Sequence, residues 1–225
     1  MNFYAKAGVR LALIGMLLSF VSIDVLAQAG DWIVRGRIIN VSPNDSSEDA
    51  LGAGSNTPVG VDAATTLEVD FTYMLKSNVG LELILATTKH DISGEGNLSA
   101  LGKIAETGVL PPTLTLQYHF SPGANIRPYA GVGLNYTLFY DESTTDSLTG
   151  GLGAATTSLD LDPSFGFAAQ AGLDVDISGG WFFNADVKYI QIETEAAVKA
   201  DGATASTIDV EINPWVFGVG IGKKF

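Results

Sequence analysis

The chain has 225 residues, no cysteine and a formal net charge of −13, yet it is 46% hydrophobic. Without cysteine, disulfides and thiolate metal sites are excluded. With 25 Asp+Glu against 12 Lys+Arg, it lacks the clustered basic residues that nucleic acid requires of a partner.

Residues 1–27 read as a cleaved secretory signal. Lys6 and Arg10 precede an apolar run from Leu11 to Val21, and Val25-Leu26-Ala27 ends in a peptidase-type site. That run is shorter than the roughly 20 residues a membrane-spanning helix needs. The mature protein is expected to be one domain, residues 28–225.

From there period-two alternation dominates, the mark of strands with unlike faces. Trp32 to Val41 sets Val34 and Ile38 against Arg35 and Arg37. Thr65 to Leu75 sets Leu67, Val69, Phe71 and Tyr73 against Glu68, Asp70 and Thr72. Val79 to Ala86 follows with Leu81, Leu83 and Leu85 opposing Glu82, and Thr113 to Phe120 with Leu114, Leu116 and Tyr118 opposing Thr115, Gln117 and His119. Gly131 to Leu138, Ser164 to Val175, Trp181 to Tyr189 and Trp215 to Phe225 complete a set of eight. Short connections near 76–78, 121–125 and 177–180 alternate with long ones near 43–64, 89–112, 141–162 and 194–208. Such alternation predicts an all-β fold: an eight-stranded antiparallel transmembrane β-barrel with short periplasmic turns and long extracellular loops. Trp32, Tyr73, Tyr118, Trp181 and Phe225, near the short turns, suit an aromatic girdle at the lipid–water boundary. Localisation in a bacterial outer membrane follows, with outer-membrane lipid, lipopolysaccharide and the barrel assembly machinery as expected partners.

The polar faces place Arg35, Arg37, Glu68, Asp70, Glu82, Asp174, Asp186 and Lys188 in one narrow lumen, with Lys224 at its end. Eight strands leave a bore that side chains can fill, and opposite charges there should pair into a plug. A wide aqueous pore is therefore not expected. Apolar residues change parity between Ile208, Val210, Ile212 and Trp215, Phe217, Val219, with Pro214 at the change. Pro163 stands similarly at the head of another strand. Proline removes a ladder donor, so Pro163 and Pro214 are candidates for a lateral gate.

The remaining features carry less chemistry. Gly218, Gly220 and Gly222 read as small lumen-side residues that let the barrel close. Leu98, Leu101, Ile104 and Ala105 have helical spacing and predict a short capping helix in the second long loop. Acidic residues such as Asp45, Asp49, Asp141 and Asp160 predict a solvated loop surface, or one touching divalent cations. His90 and His119 are expected at opposite ends of the barrel, and no clustered ligand set exists. No catalytic residue, metal or cofactor is expected.

Several segments carry a family resemblance. Leu110-Pro111-Pro112-Thr113-Leu114 runs into Leu116-Gln117-Tyr118-His119-Phe120, and Arg127-Pro128-Tyr129-Ala130-Gly131-Val132-Gly133 follows. Asp162-Pro163-Ser164-Phe165-Gly166, Asn184-Ala185-Asp186-Val187-Lys188-Tyr189-Ile190 and Asn213-Pro214-Trp215 come next, in order. Through these the chain resembles the OmpW/AlkL family of outer-membrane proteins. The resemblance implies an apolar extracellular pocket, passive uptake of small hydrophobic solutes and their lateral release into the bilayer. It also implies links to stress responses and, in some members, phage or colicin reception. The alternative is a structural or receptor-type surface protein acting through its extracellular loops. Lys223 departs from the family's C-terminal pattern, where a tyrosine or apolar residue is usual.

Overall fold

The computed structural model describes residues 28–52 and 54–225, and the expected signal segment lies outside the described residues. Eight strands form the wall: β1 Trp32–Ser42, β2 Ala64–Lys76, β3 Val79–Ala86, β4 Thr113–His119, β5 Ile126–Thr144, β6 Ser164–Ser178, β7 Trp181–Ile190 and β8 Trp215–Lys224. Each pairs antiparallel with its sequence neighbour, and β8 returns to β1 with Arg35 opposite Gly222 and Val41 opposite Val216. Closure pairs every strand on both sides, which lipid demands because it offers no partner to a free N–H or C=O.

Side-chain alternation sets what faces lipid. In β4, Thr113, Thr115, Gln117 and His119 are buried, while Leu114, Leu116 and Tyr118 are exposed on the outer wall. In β8, Val216 points in, and Trp215, Phe217, Val219 and Ile221 point out. The aromatics nearest the short turns form contacts on that wall. Trp32 and Tyr73 lie 5.1 Å apart between centroids, and Tyr118 and Phe120 lie 5.2 Å apart. At the other ends of the strands, Tyr189 and Trp215 form a second pair at 5.3 Å.

The long connections are not irregular loops. The second and fourth are mostly strand and the first and third carry short strands, and together with the top of β5 these build a second tier above the wall. Segments Thr88–Gly94 and Lys103–Leu110 continue β3 and β4 upward. Thr157–Leu161, Glu193–Ala200, Ala203–Glu211 and Ser46–Ser47 form a four-stranded sheet on the other side. Side chains join the two halves. Ser47 Oγ accepts from Val59 N at 2.8 Å and Asp45 Oδ2 from Val61 N at 2.7 Å, while Thr144 Oγ1 donates to the Thr157 carbonyl at 3.0 Å. Asp45 thus has a structural task, as does Asp49, whose carboxylate accepts from Thr57 N and Gly54 N.

This crown has a core of ordinary soluble type. Val59, Ile104, Leu148, Leu159, Ile208 and Val210 are buried together. The parity change at Pro214 thereby gains its cause. Even-numbered residues face the axis on both sides of it, Ile208 and Val210 above, Val216 and Gly218 below. The backbone keeps its face, and the chemistry on that face inverts where the surroundings change from lipid to water. The expected helix in the second loop is shorter than its four-residue spacing implied. Leu98 and Leu101 lie on a 3-10 helix, Gly96–Leu101, but Ile104 and Ala105 belong to the strand Lys103–Leu110. Gly102, at φ 60°, turns the chain between them, a left-handed conformation that glycine adopts freely. A helix at Asp146–Gly151 sits beside the 3-10 helix over the mouth, and Leu101 packs against Gly151.

Inward glycines set how tightly the wall can close. A Cβ on Gly220 would lie 2.0 Å from the Gly36 carbonyl oxygen and 2.7 Å from Arg37 Cα, both backbone. A Cβ on the outward-facing Gly36 would meet nothing within 4 Å. Gly220→Ala should therefore lower the stability of the refolded barrel by about 1–3 kcal/mol or more, and Gly36→Ala should leave it near the parent value. Urea unfolding followed by gel mobility of the folded form would measure both.

Candidate functional site

The interior is stacked in three layers. At the periplasmic end Ile33, Met74 and Phe182 form a small apolar floor. His119 lies near that end, its N–H donating to the Asn78 carbonyl in the β2–β3 turn. His90 lies in the crown, so the two histidines are at opposite ends.

Above the floor lies an ion-pair network of fully buried side chains. Arg35 is held by Asp174 through Nη2 at 3.0 Å and by Asp70 through Nη1 at 3.1 Å. Arg37 reaches Glu68 at 2.6 Å, Asp70 at 2.5 Å and Asp186 at 2.8 Å. Lys188 Nζ joins Glu68 at 2.9 Å and Asp186 at 2.8 Å. Glu82 accepts from Thr115 Oγ1 at 2.8 Å and Gln170 Nε2 at 2.5 Å. All eight residues expected in the lumen thus meet in one layer. Local pairing follows from register, because Arg35 stands opposite Asp70 and Arg37 opposite Glu68 across β1 and β2.

The alternation placed Asn184 on the inner face, but it did not single out Tyr129, in this layer, or Phe182, in the floor beneath it, whose rings both lie against Arg35. Tyr129 is 2% exposed, and its ring lies 5.0 Å from the Arg35 guanidinium carbon. Asn184 Nδ2 donates to Asp174 at 2.7 Å and to the Tyr129 hydroxyl at 3.0 Å. Tyr129 shares the parity of Gly131 and Phe182 that of Asn184, so the signal was present but masked by aromatic character. Lys224 is half-buried at the bottom rim.

The third layer is a chamber of about 230 Å³ between the ion pairs and the crown helices. Ile39, Ile84, Phe139, Ile190, Ile212 and Val216 are among its walls, Leu98, Leu101 and Leu148 are near its top, and Glu68 faces it from below. Its polar patch is small: Thr88, His90 and Thr107 on neighbouring crown strands. His90 Nδ1 donates to the Asp62 carbonyl at 2.7 Å, and Nε2 accepts from Thr88 Oγ1 at 2.8 Å. Burial holds the His90 ring below its ordinary pKa, so it is neutral.

One stretch of wall is poorly laddered. Between the pairs Ile84–Thr113 and Thr88–Val109, the segment Leu85–Thr87 faces Leu110-Pro111-Pro112, where two residues lack an N–H. On its other side, pairing of β3 with β2 ends at Glu68–Ala86, and above it Thr66 Oγ1 donates to the Thr87 carbonyl at 2.9 Å. A groove of about 710 Å³ on the outer wall lies here, lined by Leu67, Leu85, Thr87 and Leu110. Glu68 and Ala86 border both this groove and the chamber.

Pro163 and Pro214 have different surroundings. The Pro214 carbonyl accepts from Ile190 N at 3.2 Å, and Asn213 Oδ1 accepts from Ile192 N at 3.1 Å. Beside Pro163, Thr194 Oγ1 donates to the Asp162 carbonyl at 2.7 Å, and Ser164 Oγ accepts from Glu193 N at 3.0 Å. Flanking groups thus bridge the ladder at both prolines.

A family model described as the OmpW family matches residues 28–225. The chain is 44% identical over 216 residues to Outer membrane protein W of Vibrio cholerae, covering 94% of this chain and 97% of that one. It is 28% identical over 207 residues to the dibenzothiophene metabolism operon protein PahQ of Pseudomonas aeruginosa, covering 88% and 90%. Among solved structures, the outer membrane protein OprG of Pseudomonas aeruginosa superposes with a TM-score of 0.80 at 35% identity, covering 88% of this chain and 97% of that one.

Removing one shared cation from this layer leaves buried carboxylates without enough positive charge to balance them, at a cost of about 3–5 kcal/mol. Arg37→Met, which leaves Asp70 with Arg35 alone and Glu68 and Asp186 with Lys188 alone, should lose that much in urea unfolding of the refolded barrel. The chamber adds a pH dependence. Above pH 6.5 His90 is neutral whether folded or unfolded; below it the unfolded chain takes up a proton that the folded one refuses, so stability falls as pH falls. His90→Gln should reduce the stability lost between about pH 7 and pH 5, relative to the parent.

Proposed function

The chain belongs to the OmpW family of outer-membrane barrels, and from that premise we propose that it is a passive channel for small hydrophobic molecules with lateral release into the bilayer. One observation carries the reading: an apolar chamber closed below by ion pairs shares Glu68 and Ala86 with a groove on the lipid-facing wall.

The physical argument runs from the ends inward. A solute in the chamber meets paired charges beneath it, and an apolar molecule gains nothing by displacing them. Transfer from water to an apolar surround is favourable by about 25 cal/mol per Å² of apolar surface, so both chamber and bilayer attract it. The poorly laddered stretch at Leu85–Thr87 offers the shortest way between them. Pro163 and Pro214 are alternative exits, but neither lines the outer groove that shares Glu68 and Ala86 with the chamber, which favours the β2–β3 junction. The name of the relative PahQ, which refers to dibenzothiophene metabolism, also supports an apolar solute.

The absence of native cysteine permits a direct test. Leu67 and Thr87 are the next residues above the pair Glu68–Ala86, and both are exposed on the outer wall. A Leu67→Cys/Thr87→Cys variant, oxidised to a disulfide verified by gel mobility, should slow naphthalene uptake by cells lacking their own copy several-fold. A reductant should restore it. A linked pair with undiminished uptake would remove the β2–β3 exit. Equal uptake with and without the unmodified protein would favour the receptor-type surface protein instead.

A further inference from the structure

The chamber's hydroxyls share one feature. Those on its lining belong to Thr88, Thr107, Thr113, Thr194 and Ser206, and each already donates its proton to the protein. Thr107 Oγ1 donates to the Gly108 carbonyl at 3.1 Å, Thr113 Oγ1 to the Pro111 carbonyl at 2.9 Å and Thr194 Oγ1 to the Asp162 carbonyl at 2.7 Å. Ser206 Oγ donates to the Ala50 carbonyl at 2.5 Å.

Thr88 is oriented by a relay. A carbonyl oxygen can only accept, so the contact with Asp62 puts the proton of the neutral His90 ring on Nδ1. Nε2 is then a bare lone pair, and the Thr88 hydroxyl must donate to it. Each hydroxyl therefore keeps only acceptor lone pairs for a guest, and Glu68 below adds a carboxylate. Among the described lining residues, no side-chain donor is left over.

We propose that the chamber selects apolar molecules carrying one neutral hydrogen-bond donor, alcohols and phenols, which the oxygens of Thr88 and Thr107 receive. These two lie together on the inner face, since Thr107 pairs across strands with His90, two residues beyond Thr88. A guest O–H placed there recovers a hydrogen bond that an ether or ester of equal size cannot make. A carboxylate guest would bring only acceptors and a charge of the same sign as Glu68, so fatty acid anions are disfavoured. The patch stands just above Leu85–Thr87 on the same strands, so the polar end of a bound guest would lie beside the proposed exit.

This inference rests on the chamber being the solute site, and the test separates the two. The ligands are nonane, 1-nonanol and its isomer methyl octyl ether. Their binding to the whole barrel in phosphatidylcholine nanodiscs is measured by calorimetry against empty nanodiscs. The parent should bind 1-nonanol about three- to tenfold more tightly than the ether, the factor one neutral hydrogen bond supplies. In Thr88→Val/Thr107→Val that ratio should fall to about one. Thr107→Val, which leaves the His90 contacts in place, should lower it part of the way. Equal affinities for alcohol and ether in the parent, or a preference that survives the double substitution, would overturn the proposal. Failure of all three ligands to bind would instead remove the chamber as a solute site.

Discussion

A strand that crosses lipid and then enters water keeps one face toward the barrel axis throughout, and this constraint organises the molecule. In the membrane the outer face must be apolar, so the inner face receives the polar residues; in the crown the requirement reverses. Along β1 the axis-facing residues run Arg35, Arg37, Ile39, Val41, and from β3 upward they run Glu82, Ile84, Ala86, Thr88. The apolar chamber sits where the two regimes meet. It needs no dedicated domain, only strands that continue past the bilayer.

The ion-pair layer follows from the same constraint. Polar residues turned into a bore this narrow are removed from water, and burying an ionised group alone is prohibitive. Arg35, Arg37 and Lys188 are shared among Glu68, Asp70, Glu82, Asp174 and Asp186, with Asn184, Thr115 and Gln170 supplying further donors. Such a network resists penetration from either side. It gives the chamber a floor.

Near Leu85–Thr87 two causes thin the ladder. Pro111 and Pro112 remove donors on one side of Leu85–Thr87, and on the other the ladder to β2 ends above Leu85 and Ala86, where the crown strand Thr88–Gly94 turns to Val59–Val61. Side chains cover changes of partner between wall and crown, Asn213 and Ser164 beside the other prolines and Thr66 and Thr87 here. The proposed exit therefore lies where β3 changes partner on leaving the membrane.

The sequence by itself determined the strands, their faces and their count. Period-two alternation is local, and a lipid-facing wall makes its chemistry unusually clean, as in Leu114, Leu116 and Tyr118 against Thr115, Gln117 and His119. It also determined the charged lumen, because parity assigns Arg35, Arg37 and their carboxylate partners to one interior. Only the tertiary structure decided that the long loops form a second tier, since their strands find partners far along the chain: Val210 beside Ser47, Leu161 beside Ala196. Likewise, Pro163 and Pro214 announce missing donors in the sequence, but whether a neighbouring side chain replaces them depends on contacts such as Ser164 with Glu193. The groove by Leu85–Thr87 needs the register of several strands at once, and the outward donation of every chamber hydroxyl needs the positions of carbonyls from distant segments. Local periodicity reports which way a residue points, and only the assembled fold fixes what it meets there.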